Sequence, residues 1–247
     1  MSHLKKHCLQ EIAVNHQLWN HEFLKRCRTE NLSLSDIQIL AVQMYKFSKE
    51  FNRILASILS CCPDEAAQLA IVENLFDEMG QGDINQSHPE LFRRFTRAIG
   101  IDDTTLAALP TAPETRALIE TYLQIPAKYG YLAGLAVVCY ASEGIVNSLY
   151  TQLYRGIIGS TPLPKEALKF FEVHIDVDDS HAAKLGAVIE PYLRLSNEDI
   201  YLQIKLAIVE AMEARYQFFN GIERQICEEF RRQTIEENII STTLQKV

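Results

Sequence analysis

An all-α fold, one bundle of seven or eight helices, is predicted by three observations. Apolar residues recur at helical spacing along most of the 247 residues, with little strand-like alternation. Proline and glycine fall at intervals that suit helix ends. No internal repeat, linker composition or charge run divides the chain, so residues 1–247 are read as a single domain.

The first helix is expected from about Leu4 to Cys27. Ser33 or Ser35 caps a second, whose apolar face includes Ile37, Leu40, Met44, Phe47, Phe51, Ile54, Leu55 and Ile58. Pro63 suits the first turn of a third, ending at Gly80 before the loop GQGDINQS. His88-Pro89 opens a fourth, stopped at Gly100, and a short helical piece follows Asp102. Pro113 begins a fifth, broken near Gly130. The sixth, Tyr131 to Gly156, is apolar nearly all round and is therefore expected at the centre. After the break Thr161-Pro162-Leu163-Pro164, a seventh runs from about Lys165 to Leu195, kinked at Pro191. The eighth follows a Ser196 cap to roughly Arg232, leaving a polar tail from about 234.

Composition narrows the function. A net charge of -8 with no Lys/Arg cluster argues against nucleic acid as a partner. The N-terminus MSHLKKHCLQEIAV lacks an apolar signal core and reads as mature sequence. The longest apolar run, around Tyr131 to Ala141, is shorter than the ~20 residues a membrane span needs. Cys8, Cys27, Cys61, Cys62, Cys139 and Cys227 show no CxxC spacing, which points to reduced thiols and a cytoplasmic setting.

Charged groups inside apolar helices carry the chemistry. In HIDVDDSH, His174, Asp178 and His181 stand at i, i+4 and i+7, steps that return to nearly one helix face. Two imidazoles and a carboxylate in a row form a metal-ligand pattern when carboxylates approach from other helices. A solvated acidic helix would also hold these charges, but Phe170, Phe171, Val173, Val177, Leu185 and Val188 give the segment an apolar side. Glu143 is the one carboxylate in LAGLAVVCYASEGIVNSLY, so it needs a proton, a cation or a metal. Glu78 ends the third helix and His88 starts the fourth, so both can converge across the glycine loop. Asp77 is the alternative ligand, and adjacent helical positions differ by about 100°, so only one of the pair points inward. His16 and His21 are expected as hydrogen-bonding or surface groups; His3 and His7 lie near the terminus. Tyr45, Tyr140 and the phenylalanines of the second and seventh helices are candidates for pocket lining or plain core.

The ordered pattern NLFDEMG, SHPELF, YASEG and HIDVDDSH resembles the haem-oxygenase-like diiron oxidases, relatives of the chlamydial death-domain-associated protein (CADD) within the TenA/PqqC superfamily. The resemblance implies six metal positions: Glu78, His88, Glu143, His174, Asp178 and His181. It also implies a pair of iron ions, or iron with manganese, and O2 as co-substrate. A small organic substrate, an external reductant and a homodimer complete the expectation, with no membrane partner. Glu143 is expected to lie between the metals. The loop between Glu78 and His88 is about three residues longer than in the chlamydial type, and Leu24 stands where the aminobenzoate-forming branch has a tyrosine. Two alternatives stay open: a metal-free PqqC-like cofactorless oxidase or TenA-like hydrolase, the latter needing a thiol such as Cys139, and an interaction protein whose cluster is a structural ion network.

Overall fold

The computed structural model describes residues 2–176, 180–194 and 198–244, and those residues are helical with short connections. The helices are α1 (Ser2–Val14), α2 (Glu22–Arg28), α3 (Leu34–Ser48), α4 (Phe51–Cys61), α5 (Glu65–Glu78), α6 (His88–Ala98) and α7 (Asp103–Ala108). They continue as α8 (Pro113–Tyr129), α9 (Tyr131–Val138), α10 (Gly144–Ser160), α11 (Lys169–Asp176), α12 (Ser180–Arg194) and α13 (Glu198–Leu244).

Several expected helices are subdivided. The first breaks between α1 and α2 because two histidines act as caps. His16 Nδ1 accepts from the Leu18 N–H and His21 Nδ1 from the Phe23 N–H, each at 3.1 Å. Imidazoles satisfying backbone donors in this way restart the helix in a new direction. The second helix divides at Lys49–Glu50, and the turn there lets α3 pack on α6 and α13 while α4 packs on α5 and α9. Within the expected seventh helix, Lys165–Leu168 is a 3₁₀ turn before α11, and Pro191 lies inside α12. Leu195 and the proposed cap Ser196 lie outside the described residues. The eighth helix runs on to Leu244, past the expected end near Arg232.

The central position of the sixth helix is borne out. Tyr131–Ser160 is one helical rod, long and apolar enough by composition to cross a membrane, yet its apolar window is 72% buried inside the bundle. α8, α13 and α12 cover its first half, α2 and α11 its second. A π turn over Cys139–Glu143 interrupts the rod, with the Gly144 N–H bonding back to the Cys139 carbonyl. One extra residue is thereby inserted in the helical ladder, a device concentrated at functional sites.

Aromatic packing joins α6 to α11. Phe92 meets Phe170 with ring centroids 4.5 Å apart, and Phe95 meets Phe171 at 5.1 Å. All four are fully buried. Pairs of this kind add about 0.5–1.5 kcal/mol each beyond their burial. They hold the helices that carry His88 and His174 in fixed register.

Candidate metal centre

α5, α6, the π turn and α11 converge on one polar cluster inside the apolar bundle. Glu78 is the last residue of α5, and Gly80 with φ +72° turns the chain immediately after it. A Cβ on Gly80 would lie 2.5 Å from the Ser87 amide nitrogen, so only glycine lets the loop close this tightly. Closure brings His88 Nδ1 to 2.9 Å from Glu78 Oε2. His174 joins from α11, its ring centroid 4.5 Å from that of His88. One ligand atom from each of Glu78, His88 and His174 lies within 4.8 Å of the other two.

Of Asp77 and Glu78 the latter is the more enclosed, although both line the larger cavity at the cluster. Glu78 is 6% exposed. Asp77 is half-buried and its carboxylate accepts from His181 Nε2 at 2.7 Å and Gln81 Nε2 at 2.9 Å. The row read from HIDVDDSH is described only in part. His174 lies in the three-residue cluster, whereas His181, on α12, is drawn aside by Asp77; Asp178 lies outside the described residues. His181 still lines the same outer cavity as Glu78, His88, Glu143 and His174.

Glu143, at the end of the π turn, lines that cavity and a smaller inner one. Among the described residues no lysine or arginine pairs with it; Oε1 accepts a 3.0 Å hydrogen bond from Asn74 Nδ2. Burial, then the neighbouring charge of Glu78, pushes the Glu143 carboxyl above the usual carboxylate range. Glu78 goes the other way: burial opposes its ionisation, but the His88 imidazole holds its carboxyl below the usual range. Burial likewise opposes protonation of His88, and the Glu78 charge overrides it and raises the imidazole. His174 is pushed down to about 4 by burial and by His88. Its Nδ1 is 2.6 Å from the Phe170 carbonyl. In the neutral ring that contact makes Nδ1–H the donor and leaves the Nε2 lone pair free to ligate.

The donor set fits a divalent cation. His88 Nδ1 is buried and makes no hydrogen bond, although Glu78 Oε2 stands within reach. A ligand atom of His174 lies within 4.8 Å of one on each of them, close enough for the three to share one cation. Imidazole with carboxylate, and no thiolate, suits iron or manganese.

Sequence reading missed Asn74, although it lies four residues before Glu78 on the same face of α5. It also missed Arg215, a lone cation in the apolar stripe Ile208, Ala211, Met212, Phe218, Phe219 and Ile222 of α13. Neither Tyr45 nor Tyr140 lines the two cavities at the cluster. The Tyr45 hydroxyl accepts from Arg93 Nη1, and Tyr140 faces a separate cavity beside α1. Phe47 and Phe51 do line the inner cavity. Phe170 and Phe171 are core. Cys139 also faces the separate cavity; its thiol donates to the Ala182 carbonyl and burial pushes it up to about 12. It is no poised nucleophile.

Residues 38–216 match the model of a family described as iron-containing redox enzymes. The chain belongs to that family. This iron-containing redox enzyme is 23% identical over 203 residues to a 4-aminobenzoate synthase of Chlamydia pneumoniae, covering 82% of this chain and 88% of the relative. It is 24% identical over 211 residues to a 4-chloro-allylglycine synthase of Streptantibioticus cattleyicolor, covering 85% and 77%. Among solved structures, a CADD-like protein of unknown function from Nostoc punctiforme superposes with a TM-score of 0.69 at 17% identity, covering 92% and 97%. The fold is the haem-oxygenase-like helical bundle.

Proposed function

We propose that this enzyme is an O2-dependent, non-haem dimetal oxidase or oxygenase acting on a small organic molecule, with two iron ions, or iron and manganese. One observation carries the reading: Glu78 and Glu143 share a buried site with His88 and His174, and among the described residues no lysine or arginine makes an ion pair with either carboxylate. Two carboxylates beside each other in a bundle core are costly without cations to offset them. Glu78, His88 and His174 would hold one ion, and Glu143, His181 and Asp178 the second. In that arrangement Asp77 orients His181 through Nε2 and leaves Nδ1 for ligation. The metal pair, when bound, supplies the electrons and the Lewis acidity for reaction with O2.

The protein's own part is positional. The Phe170 carbonyl fixes the His174 tautomer, Asn74 aims Glu143, and Phe47, Phe51, Ile145 and Leu149 keep water from the inner cavity. Substrate identity is not inherited from the relatives, whose names give two different products. Leu24, fully buried in α2, argues against aminobenzoate formation, because the resemblance places a tyrosine there. Among the described residues no thiol lines the cavities at the cluster, as the hydrolase alternative would need.

The test is anaerobic Fe(II) titration of metal-free protein, followed by exposure to O2. About two iron ions per chain and O2 consumption are expected, with His174→Ala losing iron while keeping its helical circular dichroism. Wild-type protein that takes up no iron and consumes no O2 would sink the proposal.

A further inference from the structure

Arg215 is a buried cation that the metal ligands do not use. It is 7% exposed, on α13, in the wall of the inner cavity with Glu78, Glu143 and His174. Its guanidinium carbon sits 5.1 Å from the Phe47 ring centroid and 5.6 Å from that of Tyr122. Nη2 donates to the Tyr122 hydroxyl at 3.0 Å and the Ser142 hydroxyl at 3.5 Å, both neutral acceptors. Nε is buried and donates to nothing. Among the described residues no carboxylate pairs with the group.

A guanidinium stays charged in a protein, and an uncompensated buried charge costs several kcal/mol. Glu78 and Glu143 share its cavity, but once they ligate metal their charge is engaged there. The missing counter-charge is therefore expected from outside the chain. A planar carboxylate matches the two-pronged donor edge of arginine, and the rest of the wall is apolar: Phe47, Phe51, Ile145 and Leu149. The cavity is small, about 40 Å³, and shares Glu78, Glu143, Val146 and His174 with the larger outer cavity of about 330 Å³.

We infer that Arg215 seats the carboxylate of the substrate, a small monocarboxylic acid whose apolar body passes the metal ligands. The inference rests on the dimetal reading, because bound metal engages Glu78 and Glu143 and leaves Arg215 without a counter-charge. It is tested by anaerobic calorimetry on full-length, Fe(II)-loaded protein with hexanoate and its neutral isostere hexanamide, in parallel with iron counting on each variant.

Wild-type protein is expected to bind hexanoate at least roughly 30-fold tighter than hexanamide, the scale of a charge-assisted hydrogen bond. Arg215→Met should erase that difference and Arg215→Lys keep part of it, with both variants still taking up iron as wild type does. Equal binding of the two ligands to the wild type overturns the inference and needs no variant to fold. So does hexanoate binding that survives Arg215→Met, because the seat then lies elsewhere. Wild-type protein that takes up no iron removes the dimetal reading and the seat with it, whereas loaded protein that binds the two ligands equally removes only the seat.

Discussion

Glu143 shows how a side chain good for metal binding is bad for the empty protein. Its carboxyl is enclosed, pushed up by burial and by Glu78, and held by a single donor from Asn74. Replacing it by glutamine removes the repulsion between two buried carboxylates while conserving shape. Glu143→Gln should therefore raise the stability of metal-free protein by about 1 kcal/mol, a melting increase of roughly 2–4 °C. The same variant should fail to bind the full complement of iron, as metal analysis would show. A variant that melts lower than wild type when metal-free would mean that Glu143 carries a structural contact rather than a ligand's strain. At this scale residue type and spacing offered His88, Glu78 and His174 as candidates, with Asp77 left open beside Glu78, and the resemblance drew them into one set. The diversion of His181 to Asp77 was not, because sequence spacing cannot say which neighbour of a second helix reaches an imidazole first.

Among the elements, the π turn does most to place a ligand. Gly144 follows Glu143 directly, and a Cβ there would approach the Cys139 carbonyl oxygen at 2.5 Å. Gly144→Ala should cost about 1–3 kcal/mol, the range for forcing extra atoms into a packed core. Denaturant unfolding measures that loss, and iron analysis should show the binding lost with it. Asp64 sets the opposite end of α5: its carboxylate accepts from the Ala67 N–H at 2.8 Å and from the Tyr192 hydroxyl at 2.8 Å. Those two bonds hold its carboxyl below the usual carboxylate range. A depressed folded-state value means the contribution is present above the unfolded value, ~3.8, and is lost as pH falls through the folded one. Asp64→Ala should cost about 1 kcal/mol at neutral pH. The difference from wild type should shrink as thermal melts are taken towards pH ~3. The breaks near Pro113, Gly130 and His88-Pro89 were readable because proline and glycine act locally. The breaks at His16 and Glu50 were not, since they depend on side-chain caps and on which neighbours the next helix must meet.

For the molecule as a whole, the centre ties together α5, α6, the π turn and α11, segments spread from Glu78 to His174. Any cation that bridges them stabilises the folded state by mass action, since the unfolded chain offers no assembled site. Free Fe(II) at about a hundred times its dissociation constant should raise the melting temperature by roughly 5–10 °C under anaerobic conditions. A chelator should reverse the shift. Zero shift at saturating metal would mean that iron binds at the surface and not across the bundle.

The amino-acid order alone determined the helical class, the central apolar rod and the residue types at the core cluster. Those follow from periodicity and from the cost of burying charge, which are local properties of the chain. Only the assembled bundle decided that Glu78 is enclosed while Asp77 holds His181, that Asn74 serves Glu143, and that Arg215 lines the inner cavity with no carboxylate paired to it. Each of those outcomes depends on distances between helices far apart in sequence, set by how their side chains interlock, and no spacing rule along a single helix contains them.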